Sequence, residues 1–121
     1  MKKNLFVFVF LLAASPAFAG AINVSCTDSV KSLNKVTAGS FAVVCPVNCM
    51  TGSVWGTGNL FTTDSAICVA AVHEGAIKNS SKGGWVKVTT KPGQGSYNGA
   101  GKNGVNTQSW GSYDSSFSVS P

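Results

Sequence analysis

The stretch TDSAICVAAVHEG, residues 63–75, is the strongest helix signal in the sequence. Polar side chains at residues 63–65 can cap the first free backbone N–H groups, and Gly75 is a natural left-handed terminator. Apolar residues occupy nearly every face between these ends, which predicts a buried helix rather than one lying on a surface. The small side chains of Ala70 and Ala71 would let strands approach that helix closely.

The rest of the chain favours strands. From residue 20 onward valine outnumbers leucine thirteen to two, which is typical of sheet proteins. Phe41–Cys45 predicts a buried strand stopped by Pro46, and Trp85–Thr89 alternates with its valines on one side. Weaker predictions are a helix or turn at Asp28–Asn34 and strands at Val54–Trp55, Leu60–Thr62, Val105–Trp110 and Ser116–Val119. The expected fold class is α+β, with strands surrounding one short buried helix.

The N-terminus has the composition of an export signal. Lys2 and Lys3 precede the apolar run Leu5–Ala14, and Ala17-Phe18-Ala19 follows as a small-residue cleavage signal. Ten apolar residues are too few to span a bilayer, and no second hydrophobic segment follows. We therefore predict a signal peptide at residues 1–19, a lead-in at 20–25 and one domain at 26–121. The expected product is periplasmic or secreted and is not an integral membrane protein.

Removing the leader changes the charge. The whole chain carries a formal charge of +5 from nine lysines and four acids, with no arginine. The leader holds two of the nine lysines, so seven lysines against four acids leave +3. This weak electrostatic footprint disfavours nucleic acid as a partner.

All four cysteines follow the leader, which predicts two disulfides in an exported chain. Eighteen, three and eighteen residues separate Cys26, Cys45, Cys49 and Cys68 in turn. Three pairings are possible and the sequence does not choose among them, although a Cys45–Cys49 bridge would close a very short loop. Pairing neighbours would give two similar loops, each stabilising by about 3 kcal/mol on the chain-entropy estimate.

The helix signal also carries a resemblance. Its residues Ser65, Cys68, Ala70, Ala71, His73 and Gly75, preceded by Phe61, resemble the S-x-x-C-x-A-A-x-H-x-G signature of LCCL domains, where Tyr is usual at the first position. Further matching elements are Cys45-Pro46-x-x-Cys49, Val54-Trp55-Gly56-Thr57, Gly84-Trp85-Val86-Lys87-Val88, Tyr97-Asn98-Gly99, Asn103-Gly104-Val105 and Phe117. The resemblance covers about residues 26–119.

The resemblance implies an LCCL-like fold, with antiparallel strands wrapped around one central α-helix. It implies structural roles for the motif residues of the helix and the pairing Cys26–Cys45 with Cys49–Cys68. It also implies a non-catalytic extracellular module, linked in this family to recognition of bacterial lipopolysaccharide, to innate defence and to adhesion.

Catalytic and metal chemistry have few candidates. His73 is the only histidine, and a position in a buried helix favours a hydrogen-bonded core residue over a general base. Paired cysteines cannot serve as nucleophiles, and a C-x3-C spacing is unusual for zinc. Gly99-x-Gly101-x-x-Gly104 lacks the strand–helix context of a dinucleotide site. We predict no catalytic residue, metal or cofactor, and a small hydrolase is the outside alternative.

Five of the seven remaining lysines follow the helix and, with three aromatic residues, form the candidate ligand-binding set. Its members are Lys78, Lys82, Lys87, Lys91, Lys102, Trp85, Tyr97 and Trp110. Lysine supplies point charges for anionic groups, and aromatic rings supply apolar surface. The hypothesis is a module that binds a glycan or a lipopolysaccharide-like lipid surface. The alternatives are a protein-interaction or structural module of the cell envelope or extracellular space, or a solvated face with core tryptophans.

Overall fold

Within residues 20–121, the part of the chain that the computed structural model describes, eight strands and one helix follow one another. They are β1 (Ile22–Asn23), β2 (Ser40–Cys45), β3 (Gly56–Thr57), β4 (Leu60–Thr62), α1 (Ile67–Glu74), β5 (Gly84–Gln94), β6 (Gly101–Lys102), β7 (Val105–Asn106) and β8 (Tyr113–Ser120). The signal peptide predicted for residues 1–19 lies outside the described residues.

Six of the strands form the main sheet, in the order β1-β2-β5-β8-β4-β3, and β6 pairs with β7 as a separate ribbon. All neighbours in the main sheet are antiparallel except β1 and β2. The long β5 lies between β2 and β8 and pairs with both. The predicted α+β class, one helix with a mostly antiparallel sheet, is confirmed.

The two sides of β5 have different surroundings. Val86 and Val88 are fully buried, while Trp85 and Lys87 are exposed. Directly paired residues share a side of a sheet, so Val43, opposite Val86, faces the core as well. We call the side bearing Trp85 and Lys87 the outer face. The alternation predicted for Trp85–Thr89 is confirmed, and it sets which side chains meet solvent.

Helix α1 packs against the other side of the sheet and is the centre of the core. Every residue from Ile67 to His73 is buried. Phe61 and Phe117 pack together there with ring centroids 5.6 Å apart. Gly75 ends the helix in the left-handed conformation (φ 85°), as predicted.

The start of α1 differs from the prediction. The N-cap residue is Ala66, and no side chain caps the helix. Backbone carbonyls supply the acceptors instead: Ser53 accepts from Ala66 N–H and Asp28 accepts from Ile67 N–H, each at 2.9 Å. A buried helix end needs partners for its N–H groups, and here the loops before the helix provide them.

Asp28 also orders its own turn through its carboxylate. Oδ2 accepts the Ser25 backbone N–H at 2.9 Å, and Oδ1 accepts the Ser32 hydroxyl at 3.1 Å. The bond from the Ser25 N–H lowers the pKa of Asp28 below its usual value, and the side-chain bonds from Ser32 and Ser25 add to this. The turn that supplies an acceptor to α1 is therefore itself held by a charged group.

Several weaker strand predictions have different bounds in the structure. The segment predicted as Val105–Trp110 is a strand only at Val105–Asn106, after which Gln108 and Trp110 make single bridges to Trp55 and Tyr97. The other differences are a strand at Gly56–Thr57 rather than Val54–Trp55 and β1 within the segment expected to be a lead-in, whereas turns follow at 30–34, one of the two forms predicted there. Strand pairing sets these bounds: β3 forms a hairpin with β4, and β1 pairs with the distant β2.

The disulfide pairing expected from the resemblance, Cys26–Cys45 with Cys49–Cys68, is wrong. The bonds join Cys26 to Cys49 and Cys45 to Cys68, each across a sequence separation of 23 residues. The two loops overlap between residues 45 and 49 instead of following one another. Loop length gives almost no difference in stability between the expected and the observed pairing, because closure entropy changes slowly with length.

Strand and helix packing explains the pairing. Cys45 ends β2 on its inner side, paired with Gly84, and its Cα lies 5.6 Å from that of Cys68 in the first turn of α1. Both residues are almost fully buried. Pro46 turns the chain away from the sheet, so that Cys49 reaches Cys26 at a Cα distance of 5.0 Å.

Removing the Cys45–Cys68 bond should destabilise the domain more than removing the other bond. We expect Cys45→Ala/Cys68→Ala to lower the free energy of unfolding by about 2–5 kcal/mol, because it also leaves a cavity between β2 and α1. Cys26→Ala/Cys49→Ala is the matched control and should cost less, since Cys26 is only half-buried. Urea unfolding measures both. Equal losses, or a proteolytic peptide joining Cys26 to Cys45, would contradict the arrangement.

Candidate functional site

A shallow groove on the outer face brings together two of the predicted ligand-binding residues. It has a volume of about 280 Å³ and is lined by Ser40, Phe41, Ala42, Trp85 and Lys87. Trp85 is 37% exposed, and the equally exposed Val44 lies directly opposite it on β2. The groove therefore combines an apolar floor with one cationic side chain whose aliphatic stem can lie along it.

Lys91 extends the same stripe. Alternate residues of a strand lie on one side of the sheet, so Lys87, Thr89 and Lys91 share the outer face with Trp85. Hydroxyl side chains flank them, since Ser40 and Ser118 lie opposite Thr89 on the two neighbouring strands. Neither β2 nor β5 carries an acidic residue. The stripe thus offers positive charge, hydroxyls and one indole ring, while the flanking strand β8 carries one carboxylate, Asp114, two residues before the Ser116 that is paired with Lys91.

Tyr97 does not belong to this surface. It is 4% exposed, and its hydroxyl is 2.6 Å from the Ser116 hydroxyl and accepts the Gln94 N–H at 3.0 Å. The segment after β5 folds back so that this ring covers the sheet near Ser116. Tyr97 is therefore a buried packing residue and is removed from the candidate set.

Trp110 and Lys82 do not line the groove on the outer face. Trp110 is 52% exposed, its indole meets the Trp55 ring edge-to-face at 6.1 Å, and its backbone pairs with Tyr97. Lys82 is exposed in the turn before β5. The alternative that Trp85 and Trp110 lie in the core is wrong, since both are exposed. Only Trp85 lies in the groove, however.

Two lysines already have polar partners. Lys102 forms an ion pair with Glu74, with Nζ and Oε1 3.1 Å apart, and the same carboxylate oxygen accepts the Asn59 N–H at 2.7 Å. Lys31 donates to the Tyr113 hydroxyl at 2.8 Å, and this bond raises the pKa of Lys31. Of the candidate lysines, Lys102 is therefore the one whose charge is already compensated.

Lys78 lines a second cavity, which we call the helix-end cavity. It has a volume of about 370 Å³ and lies where α1 ends, lined by Val72, Gly75, Ile77, Lys78, Ser80 and Asn103. Asn103 is fixed there because its side-chain amide donates to the His73 carbonyl at 2.8 Å. The candidate lysines are thus divided between two regions of the surface.

His73 joins three parts of the fold. Nδ1 lies 2.9 Å from the Val105 carbonyl and Nε2 lies 2.8 Å from the Thr57 hydroxyl. A carbonyl oxygen can only accept, so Nδ1 donates, and in the tautomer with its proton on Nδ1 the ring accepts the Thr57 hydroxyl at Nε2. The pair has the spacing of a nucleophile and a general base, but His73 has no exposed surface. The contacts connect α1 to β3 and β7.

The other residues of the helix motif have packing contacts as well. The Ser65 hydroxyl accepts the Trp55 N–H at 2.9 Å and lies 2.8 Å from the Thr62 hydroxyl. Cys68 forms a disulfide, and Ala70 and Ala71 are fully buried. Within residues 20–121, no group of three or more His, Cys, Asp or Glu side chains is placed to hold a metal ion. No helix in this part of the chain is long and apolar enough to cross a membrane.

Sequence reasoning missed the β2 side of the groove and most of the helix-end cavity. Phe41–Cys45 was expected to be wholly buried, but Val44 points outward. The neighbour of Trp85 across the sheet depends on strand pairing, which has no local signal. Ser80 and Asn103 meet because the chain returns to the end of α1, and only the asparagine-glycine turn at residues 103–104 indicated a special backbone there.

Together these features define a disulfide-stabilised binding or structural module built around one buried helix. The family model for the LCCL domain matches residues 24–117. The chain belongs to the LCCL domain family.

Curated relatives support this assignment. The chain is 32% identical to human Cochlin over 114 residues, covering 93% of this chain and 20% of that protein. It is 34% identical to mouse Cochlin over 113 residues, covering 90% and 20%, and 37% identical to mouse Vitrin over 87 residues, covering 70% and 13%. The chain thus spans about a fifth or less of the relatives it matches.

Removing the Thr57 hydroxyl should destabilise the fold. Thr57→Val keeps the shape and the β propensity of the side chain but leaves the buried Nε2 of His73 without a donor. The expected loss is about 1–3 kcal/mol in the free energy of unfolding, measured by urea denaturation with the disulfides intact. Thr57→Ser, which keeps the hydroxyl, is the matched control and should retain most of the stability. A valine variant as stable as the parent would show that this bond is not needed.

Proposed function

We propose that this LCCL domain is an exported, non-catalytic module that binds a glycan or lipid surface through the outer face. The observation that carries the proposal is the groove in which Trp85 and Lys87 meet, continued along β5 by Lys91. An indole stacks on the apolar face of a sugar or enters a lipid interface, and lysines attract phosphate or carboxylate groups.

Export is part of the same proposal. Residues 1–19 act as the signal peptide, and the domain begins after a short lead-in at residues 20–25. Both disulfides support a destination outside the reducing cytosol, in a periplasm or in the extracellular space. Neither nucleic acid nor a cofactor has a place in this proposal.

The outer face should bind anionic surfaces in a manner that depends on salt. The probes are purified lipopolysaccharide, vesicles of phosphatidylglycerol in phosphatidylcholine, and a glycan array. Lys87→Ala/Lys91→Ala should raise the Kd for the anionic vesicles about thirtyfold, since each lysine near such a surface contributes about 1 kcal/mol. Trp85→Ala should also weaken binding.

Two controls make this test specific. Lys35→Ala/Lys82→Ala removes the same charge from residues that line neither cavity, and Trp110→Ala removes the other exposed indole. Both should leave the Kd within about threefold, equivalent to less than 1 kcal/mol. If no probe binds saturably, or if the control variants weaken binding as much as the outer-face variants, the proposal is wrong.

A protein-interaction or structural role is the second candidate. The observation in its favour is exposed apolar surface: Val44 and Trp85 are each 37% exposed, and Val47, just beyond β2, is 51% exposed. Contacts through such surface resist salt, because burial of apolar area needs no net charge. A pull-down from native envelope in high salt should then retain one protein partner, which Trp85→Ala should release. Retention unaffected by Trp85→Ala would place that contact elsewhere.

A further inference from the structure

The helix-end cavity has a distinct polar character. Three side chains on its wall have hydrogen-bonding capacity left: the Lys78 ammonium group, the Ser80 hydroxyl and the Asn103 carbonyl oxygen. Within the described residues, neither the Lys78 nor the Ser80 side chain has a hydrogen-bond or ion-pair partner. The Asn103 amide nitrogen is already used at the His73 carbonyl, which leaves its oxygen available.

The remaining wall of the cavity is apolar. Val72 and Ile77 are almost fully buried, with 4% and 5% of their surfaces exposed, so they present only a small patch. Gly75 contributes backbone alone, and its positive φ of 85° strains any other residue there. This small apolar patch can contact the C–H face of a saturated ring.

The charge of the cavity favours an anionic group beside Lys78. Lys78 is the only charged residue of its lining. The nearby carboxylate of Glu74 is compensated by Lys102 and by the Asn59 N–H. An incoming carboxylate would therefore gain the attraction of Lys78 without an unpaired negative side chain in the lining.

The end of α1 determines what else the ligand must carry. The C-terminal end of a helix presents carbonyl oxygens and a partial negative charge. Gly75 N–H, Ile77 N–H and the Asn103 amide occupy the carbonyls of Val72, Ala71 and His73. An anionic group placed directly at such an end is repelled, so the acidic group of a ligand must lie away from it, beside Lys78. The end of α1 itself suits a ligand whose hydroxyl groups donate.

We propose that the helix-end cavity binds a single acidic sugar ring, a hexuronate, with its carboxylate at Lys78. Its hydroxyl groups meet Ser80 and Asn103, and its C–H face lies on Val72 and Ile77. A volume of about 370 Å³ is at the small end of ligand pockets and holds one ring. The inference does not depend on the outer-face proposal, because the two cavities share no residue.

The test is a titration of the ¹⁵N-labelled, oxidised domain with D-glucuronate, followed by amide chemical shifts. Saturable shifts in the millimolar range should centre on residues 75–80 and on Asn103. D-glucose, which lacks the carboxylate, should bind at least tenfold more weakly, and acetate, which lacks the ring, should do the same.

Variants assign the contacts. Lys78→Ala should raise the Kd for glucuronate about tenfold, and Ser80→Ala should raise it severalfold. Lys82→Ala is the matched control, an exposed lysine of the same loop outside the cavity lining, and should leave the Kd unchanged. Both lysines are exposed, so the variants should keep the parent spectrum, which the same experiment verifies.

Three results would overturn the inference. One is the absence of saturable shifts, and another is acetate or glucose binding as well as glucuronate. The third is a response at Trp85 and Lys87 in place of residues 75–80, which would move the sugar to the outer face. Because Lys87→Ala/Lys91→Ala should not affect glucuronate binding, either proposal can fail without the other.

Discussion

The bond between Cys45 and Cys68 fixes which side of β2 faces the helix, and the candidate site depends on that choice. Cys45 must point inward to reach α1, so Val44 before it must point outward. The pairing of Val44 with Trp85 then places the indole on the outer face. A slip of one residue in this register would bury Trp85 and Lys87 and expose the valines. A covalent bond in the core thus determines the chemistry of the surface.

The sequence predicted the elements whose signals are local. The apolar run ending at Gly75 gave the buried helix, and the alternation of Trp85–Thr89 gave the side of β5 that meets solvent. The motif around His73 indicated the family, and the structure shows the role of two of its residues: Cys68 bonds the helix to β2, and His73 connects it to β3 and β7. The residues that α1 needs for its packing thus lie within a single short segment of the sequence, at 63–75.

What the sequence did not predict depends on contacts between distant segments. The cap of α1 comes from Asp28 and Ser53 backbone carbonyls, which leave no mark in the residues of the helix itself. The candidate lysines were grouped because they follow one another in the chain, but folding separates Lys78 from Lys87. Tyr97 is of a residue type that is common in ligand-binding sites, but its hydroxyl is hydrogen-bonded to the buried Ser116 hydroxyl. The strand register and the path of the loops, rather than residue type, determine where these side chains lie.

The overlap of the two disulfide loops has a consequence for oxidative folding. When a chain emerges from its N-terminus, Cys26 and Cys45 are the first two thiols available to each other, and they are not partners in the native fold. An early bond between them must be exchanged through thiolate attack before Cys68 can reach β2. The native pairing therefore requires that the helix docks on the sheet. An oxidant without isomerase activity would leave the non-native Cys26–Cys45 bond in place.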